Sequence, residues 1–245
     1  MANFKRKFKF YAGYVWQLIK DALPSGIMYI CAGSILMMAA LKVSEGSITF
    51  KSSAVVWMVI SITAAVAYNG LMMWANGGQQ YEMLVTGNVR RQSEQMYGEG
   101  YKISKYKEAK EYRIWKGFVV GGLIAVFSIV VGIVWGVKQT QIDARLVKGK
   151  IGVGELLGIM LSGWSVLPVY YANATGSHIS YFVTTLFALI PIAVTATFYI
   201  GGAYGRRNKR LREQRIADAA AKVAESKAKK INYGGLPGTK PKKKK

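Results

Sequence analysis

The 245-residue chain has one cysteine, one histidine, and 12 acidic residues against 34 basic ones. A single cysteine rules out a disulfide framework or a multi-cysteine zinc site within the chain. Cys31 stands in an apolar run, where a small packing residue is expected. His178 is a lone histidine in a predicted loop, with no spaced partner that would suggest a metal centre or an acid–base pair. No serine lies in a G-x-S-x-G elbow, and no glycine-rich phosphate loop ends in Lys-Ser or Lys-Thr. The sequence therefore nominates no catalytic, cofactor-binding or metal-binding residue, and the protein reads as non-enzymatic.

Charge is missing over long stretches. Ala22 to Leu41, Ser52 to Tyr81, Gly117 to Val137 and Ile179 to Gly205 carry none, although the chain as a whole has a formal charge of +22. A helix needs about 20 apolar residues to cross about 30 Å of hydrocarbon. Backbone amides in lipid must be satisfied within the segment, which makes these runs helices. The expected fold is an all-α integral membrane protein with spans at about 22–41, 54–75, 117–137 and 179–205. The first run is long for a signal-peptide core and lacks a clear small-residue cleavage site, so it is expected to stay as a span.

A fifth apolar segment, 151–172, contains Glu155, Pro168 and four glycines. Short cytosolic loops collect Lys and Arg, and that rule arbitrates its status. With four spans and the N-terminus inside, 28 of the 34 basic residues fall on the cytosolic side. Five spans with the N-terminus outside put only 21 there. The reading is therefore four spans, with 151–172 re-entrant or interfacial and both termini cytosolic. Five spans with an outward N-terminus is the alternative.

The flanking segments are basic. In residues 1–21, Phe4, Phe8, Tyr11, Val15 and Leu18 share one helical face, and Lys5, Arg6, Lys7 and Lys9 lie mostly off it. That pattern predicts an interfacial amphipathic helix with its cations at lipid phosphates. The cytosolic loop 76–116 opens on Asn76-Gly77-Gly78, a helix-stop signal. It mixes charges and interleaves tyrosines. A short hairpin about Gly98 and Gly100 is possible, with Lys107 and Glu111 at i,i+4 spacing. The loop reads as a solvated helix leading into the third span, or as a docking surface for a soluble partner. The tail, 206–245, holds 15 basic and 3 acidic residues. Arg206, Arg207, Lys209 and Arg210 sit where they lock topology and meet anionic lipid. From about residue 232 the Gly/Pro/Lys composition predicts disorder, and Lys242, Lys243, Lys244 and Lys245 can contact phosphate polymers without sequence preference.

Within the membrane the polar candidates are Asn69 and Glu155, as lining of a path; Glu155 equally suits the start of a helix. Gly117 and Gly121, and Gly132 and Gly136, form G-x-x-x-G pairs that make the third span the expected packing helix. Pro191 predicts a kink in the last span. Asn173-Ala174-Thr175 matches a glycosylation sequon. Two functions follow. One is a scaffold or accessory subunit whose basic arms engage an anionic partner: acidic lipid, ribosomal RNA or an acidic protein. In layout alone, such an arrangement is similar to the Oxa-type insertases. The other is a small channel or transporter component with 151–172 as a re-entrant element.

Overall fold

The computed structural model describes residues 2–44, 47–98, 110–148 and 150–232. Its elements in order are α1 (Ala2–Ala40), β1 (Leu41–Ser44), β2 (Ser47–Phe50), α2 (Ala54–Thr86), α3 (Asn88–Tyr97), α4 (Trp115–Val137), α5 (Gln139–Val147), α6 (Val153–Ala174), a 3-10 turn (Tyr181–Val183), α7 (Thr184–Phe187) and α8 (Leu189–Asn232). The chain divides into two compact units, Met1–Ala203 and Tyr204–Lys245. It is an all-helical multi-pass membrane protein, with five helices long and apolar enough to cross a bilayer.

The helices turn a narrow stripe inward. On α1 the buried positions are Leu18, Ala22, Ser25, Tyr29, Ala32, Leu36 and Ala40, spaced three or four apart as a packed helix requires. On α4 they include Lys116, Val120, Ile124, Ser128, Val131 and Trp135. Large apolar side chains on the other faces, such as Ile35, Val59, Leu71 and Val130, are exposed and suited to lipid.

Four of the five long helices run between two ends of unit 1. At one end β1 and β2 form an antiparallel hairpin, pairing Leu41 with Phe50 and Ser44 with Ser47. This is the hairpin end; a polar cluster marks the opposite end. α1 rises toward the hairpin end, α2 descends, α4 rises and α8 descends.

The fifth long helix, α6, does not run from one end of the unit to the other. Ser162 has φ −142° and ψ 28°, breaking it into half-helices 153–161 and 163–174. The first half starts at the hairpin end, where Glu155 meets Arg145 and Gly158 abuts the indole of Trp135. The second half returns there, since Tyr170 contacts the same Trp135 and Phe50 packs on both Tyr170 and Tyr171. A straight 22-residue helix would separate its ends by about 33 Å. The bend itself lies mid-bundle, with Gly163 against Gly33 and Trp164 tilted on Tyr29 at 4.8 Å. Segment 151–172 thus begins and ends at the hairpin end, the geometry of a re-entrant segment.

Several sequence expectations are corrected. Residues 2–21 are continuous with the first span in α1, which passes through Pro24. Of that face, Phe8, Tyr11 and Val15 are exposed and Leu18 is buried. Asn76-Gly77-Gly78 does not stop α2, which runs to Thr86 and is closed by Gly87 in the left-handed region, φ 61°. Gly77 and Gly78 are buried because α8 passes there: a Cβ at Gly77 would collide with the Tyr199 carbonyl, and one at Gly202 with that of Trp74. α3 follows α2 directly after Gly87, and beyond the undescribed residues 99–109 the chain folds back onto α2, where the Tyr112 amide meets the Gln80 carbonyl. Pro191 falls in the first turn of α8, where no amide bond is lost, so the break in the last span precedes it, at Ala188. Cys31 is exposed on α1, off the buried stripe, and so does not pack in the core. The two-stranded hairpin went unread, although Leu-Lys-Val-Ser and Ser-Ile-Thr-Phe alternate apolar and polar residues.

Candidate functional site

The polar cluster at the end opposite the hairpin is built from five helices and the returning loop. Lys116, in the first turn of α4, is 1% exposed. Its ammonium donates to Gln80 Oε1 at 2.9 Å and to the Glu111 carbonyl. The Gln80 amide donates to Asp21 Oδ2 at 3.0 Å, and Gln17 donates to Asp21 Oδ1 at 3.0 Å. From α8, the Tyr199 hydroxyl donates to Gln80 Oε1 at 2.7 Å. Glu111, 3% exposed, accepts two bonds from Arg90 of α3, both at 3.2 Å. The Tyr112 amide donates to the Gln80 carbonyl at 3.1 Å, and its ring stacks on Tyr199 at 5.1 Å. Gln80 is the hub, joining α1, α2, α4 and α8.

Sequence reading missed this cluster for a definable reason. Asp21 and Lys116 served as edges of apolar runs, which left the spans with no ionisable group. The helices continue past those edges, so both residues lie within helices and turn toward Gln80. An ionisable residue directly abutting an apolar run was the available signal.

The structure separates the two predicted lining residues. Asn69 is fully buried in α2 and donates to Thr195 Oγ1 on α8 at 3.0 Å. Glu155 lies at the hairpin end, where it accepts from Arg145 at 2.8 Å and from the Gly152 amide at 2.8 Å. The latter bond closes the N-terminus of α6, so Glu155 serves as a helix cap. Four of the five glycines of α4 meet neighbouring elements: Gly117 and Gly121 lie against Ala196 and Ile192 of α8, Gly132 against Thr184 of α7, and Gly136 against the Phe182 ring. A Cβ at Gly121 would sit 2.6 Å from the Ile192 Cα, a separation that only glycine permits.

An open basin of about 570 Å³ lies at the hairpin end, lined among others by Thr49, Lys51, Asp143, Tyr171, Asn173 and His178. The Asp143 carboxylate accepts from the Tyr181 hydroxyl at 3.3 Å, and the Lys51 ammonium donates to the Met38 carbonyl at 3.0 Å. Asn173 closes the adjoining turn, donating to the Ile179 carbonyl at 2.8 Å and accepting from the Ile179 amide at 2.5 Å. Its sequon nitrogen is therefore engaged in the fold. His178 has φ 46°, unusual for a residue other than glycine. Among the described residues no three His, Cys, Asp or Glu side chains come together.

The basic candidates fall in two places. Lys5, Arg6, Lys7 and Lys9 are helical residues of α1. Arg206, Arg207 and Lys209 are exposed and Arg210 half-buried in the unit-2 part of α8, where residues 211–227 are all exposed. Lys209 pairs with Glu213 at 3.9 Å. Lys242, Lys243, Lys244 and Lys245 lie outside the described residues, as does Lys107 of the predicted i,i+4 pair. The predicted loop hairpin is described only up to Gly98.

Compared with protein-family models, curated proteins and solved structures, the chain matches none. Its function is therefore argued from its own geometry.

Proposed function

We propose that the protein is a non-enzymatic membrane scaffold or accessory subunit that holds an anionic partner on its basic arms, with both termini cytosolic. The observation that carries this reading is the exposed helix of unit 2. Its first twelve residues hold Arg206, Arg207, Lys209, Arg210, Arg212 and Arg215, and its next turns present Ile216, Ala220 and Val223 to solvent. A long helix exposed on every side gains little from packing, and an exposed ion pair at 3.9 Å adds little. Such a helix is suited to a partner that supplies both negative charge and cover for a few apolar side chains. The surface of an anionic leaflet or a phosphate-rich complex does both. The orientation rests on the charge asymmetry, because Lys and Arg are retained on the cytosolic side.

The test is recovery of partners from native membranes with the full chain and with Lys240 to Lys245 deleted, at about 50 and 200 mM salt. A phosphate-bearing partner that is lost at the higher salt and weakened by the deletion supports the scaffold. A partner set unchanged by either overturns it.

A second reading, a channel or transporter component, is favoured by the re-entrant hairpin. Non-helical backbone at membrane depth is tolerated only where protein or a water-filled cavity surrounds it, and discontinuous helices commonly form solute sites. The basin at the hairpin end would then be the mouth. Solute flux into proteoliposomes that is abolished by Asn69→Leu but indifferent to the tail would favour this reading over the first.

A further inference from the structure

We propose that the groove between α1 and α4 is a binding site for one acyl chain of an anionic phospholipid, whose headgroup is held at Trp16 and Lys20. This site is separate from the tail and does not depend on the scaffold reading.

The groove has a volume of about 210 Å³ and is lined by Ile19, Leu23, Gly26 and Ile30 of α1 and by Leu123 and Phe127 of α4, among others. Its lining is apolar throughout, so water is a poor occupant. From Ile19 to Ile30 the helix rises about 16 Å, half of a hydrocarbon core of about 30 Å and therefore the depth of a single leaflet. The groove thus starts near one membrane surface and ends near the midplane, as a single acyl chain does.

Its depth comes from Gly26. A Cβ there would meet nothing within 4 Å, unlike the glycines of α4 that touch α7 and α8. Gly26 therefore does not serve close approach of helices; it leaves space on a membrane-facing surface.

The surface end of the groove carries the complementary charge. Trp16 precedes Ile19 by three positions, which puts the two on adjoining parts of one helix face. Lys20 lies over the Trp16 ring at 5.7 Å from its centroid, and both residues are exposed. An indole at the interface with an ammonium over it offers a hydrogen-bond donor and a cation at headgroup level. A zwitterionic headgroup brings its own ammonium to Lys20, whereas an anionic one such as a phosphoglycerol does not. That difference argues for an acidic lipid over a neutral one, and the apolar lining with a charged end argues for a lipid over a second copy of the chain.

The experiment is native mass spectrometry of the full-length protein released from bilayers of equal phosphatidylglycerol and phosphatidylcholine. The variants are Gly26→Leu, Lys20→Gln and the control Gly122→Leu. Gly122 also has open space around its Cβ position and is not part of the groove lining. The wild type is expected to retain one phosphatidylglycerol in preference to phosphatidylcholine. Gly26→Leu fills the groove and should lose that lipid, while Gly122→Leu keeps it. Lys20→Gln should lower the preference for phosphatidylglycerol about fivefold, the factor for one cation at an anionic surface. Thermal unfolding of each variant in detergent separates loss of lipid from loss of fold, and Gly26→Ala, which narrows the groove less, should give an intermediate loss. Equal retention of the two lipids by the wild type, retention of phosphatidylglycerol by folded Gly26→Leu, or a change in oligomeric mass on filling the groove would each overturn the proposal.

Discussion

At the scale of single residues, close packing and buried charge dominate. Gly77 and Gly202 let α2 and α8 touch backbone to backbone, and there is no flexible side chain at the contact that could move aside. Gly77→Ala is therefore expected to destabilise the protein by about 1–3 kcal/mol, because the new methyl must push two helices apart. Thermal unfolding in detergent measures this; a melting temperature equal to that of the wild type would show the helices free to separate. Lys116 is the second sensitive position. Its ammonium is held by Gln80 and the Glu111 carbonyl in a cluster that also contains Asp21. Removing one partner of a buried charged network leaves the others unsatisfied, so Lys116→Met should cost about 3–5 kcal/mol. The double variant Asp21→Asn, Lys116→Met should cost less than the sum of the two single changes, since the residues share the Gln80 hub. Strict additivity would show that Asp21 and Lys116 act independently.

At the scale of elements, the re-entrant hairpin is the decisive feature. Its two halves are joined at Ser162 and Gly163, and the close contact of Gly163 with Gly33 seats the bend against α1. Single cysteines at positions 52, 141 and 175 are expected to react with an impermeant reagent from one side of the membrane, and a cysteine at 95 from the other. Reaction of 175 together with 95 would mean that α6 crosses after all. The prediction is robust to orientation, because it compares positions with each other and not with a named compartment. The exposed face of residues 8–15 belongs to the same scale. Phe8, Tyr11 and Val15 lie exposed on a helix that is continuous with a span.

At the scale of the whole molecule, the distribution of charge sets the expectation. Residues 206–245 carry 15 basic and 3 acidic residues. Each basic residue near an anionic leaflet contributes on the order of 1 kcal/mol within a Debye length of about 8 Å. Peptides comprising residues 206–245 should therefore bind vesicles containing phosphatidylserine much more strongly than vesicles of phosphatidylcholine alone, with binding falling steeply as salt rises. Sedimentation with vesicles reads this out directly. Binding that ignores both lipid charge and salt would remove the electrostatic basis of the scaffold proposal.

The sequence by itself determined that the protein is helical and membrane-embedded, because the absence of charge over about 20 residues is a local property and lipid forces each such run to satisfy its own backbone. It also marked α4 as a packing helix through glycine spacing, and it left 151–172 as a segment whose crossing could be doubted on charge grounds. Only the tertiary structure shows that this segment starts and returns at one end of the bundle. The answer depends on Trp135, Gly33 and Phe50, which are distant in sequence and meet α6 at its start, bend and return. The same holds for the network about Gln80. Asp21, Gln80, Lys116 and Tyr199 look like boundary residues when read singly, and they become one cluster because four helices bring them to the same level. Gly77 shows the limit most simply: as a local signal it stops a helix, but packing against Tyr199 outweighs that small local cost and α2 runs on. Local composition fixes what each segment is; contacts between segments fix which polar groups face one another, and no single run of sequence contains that information.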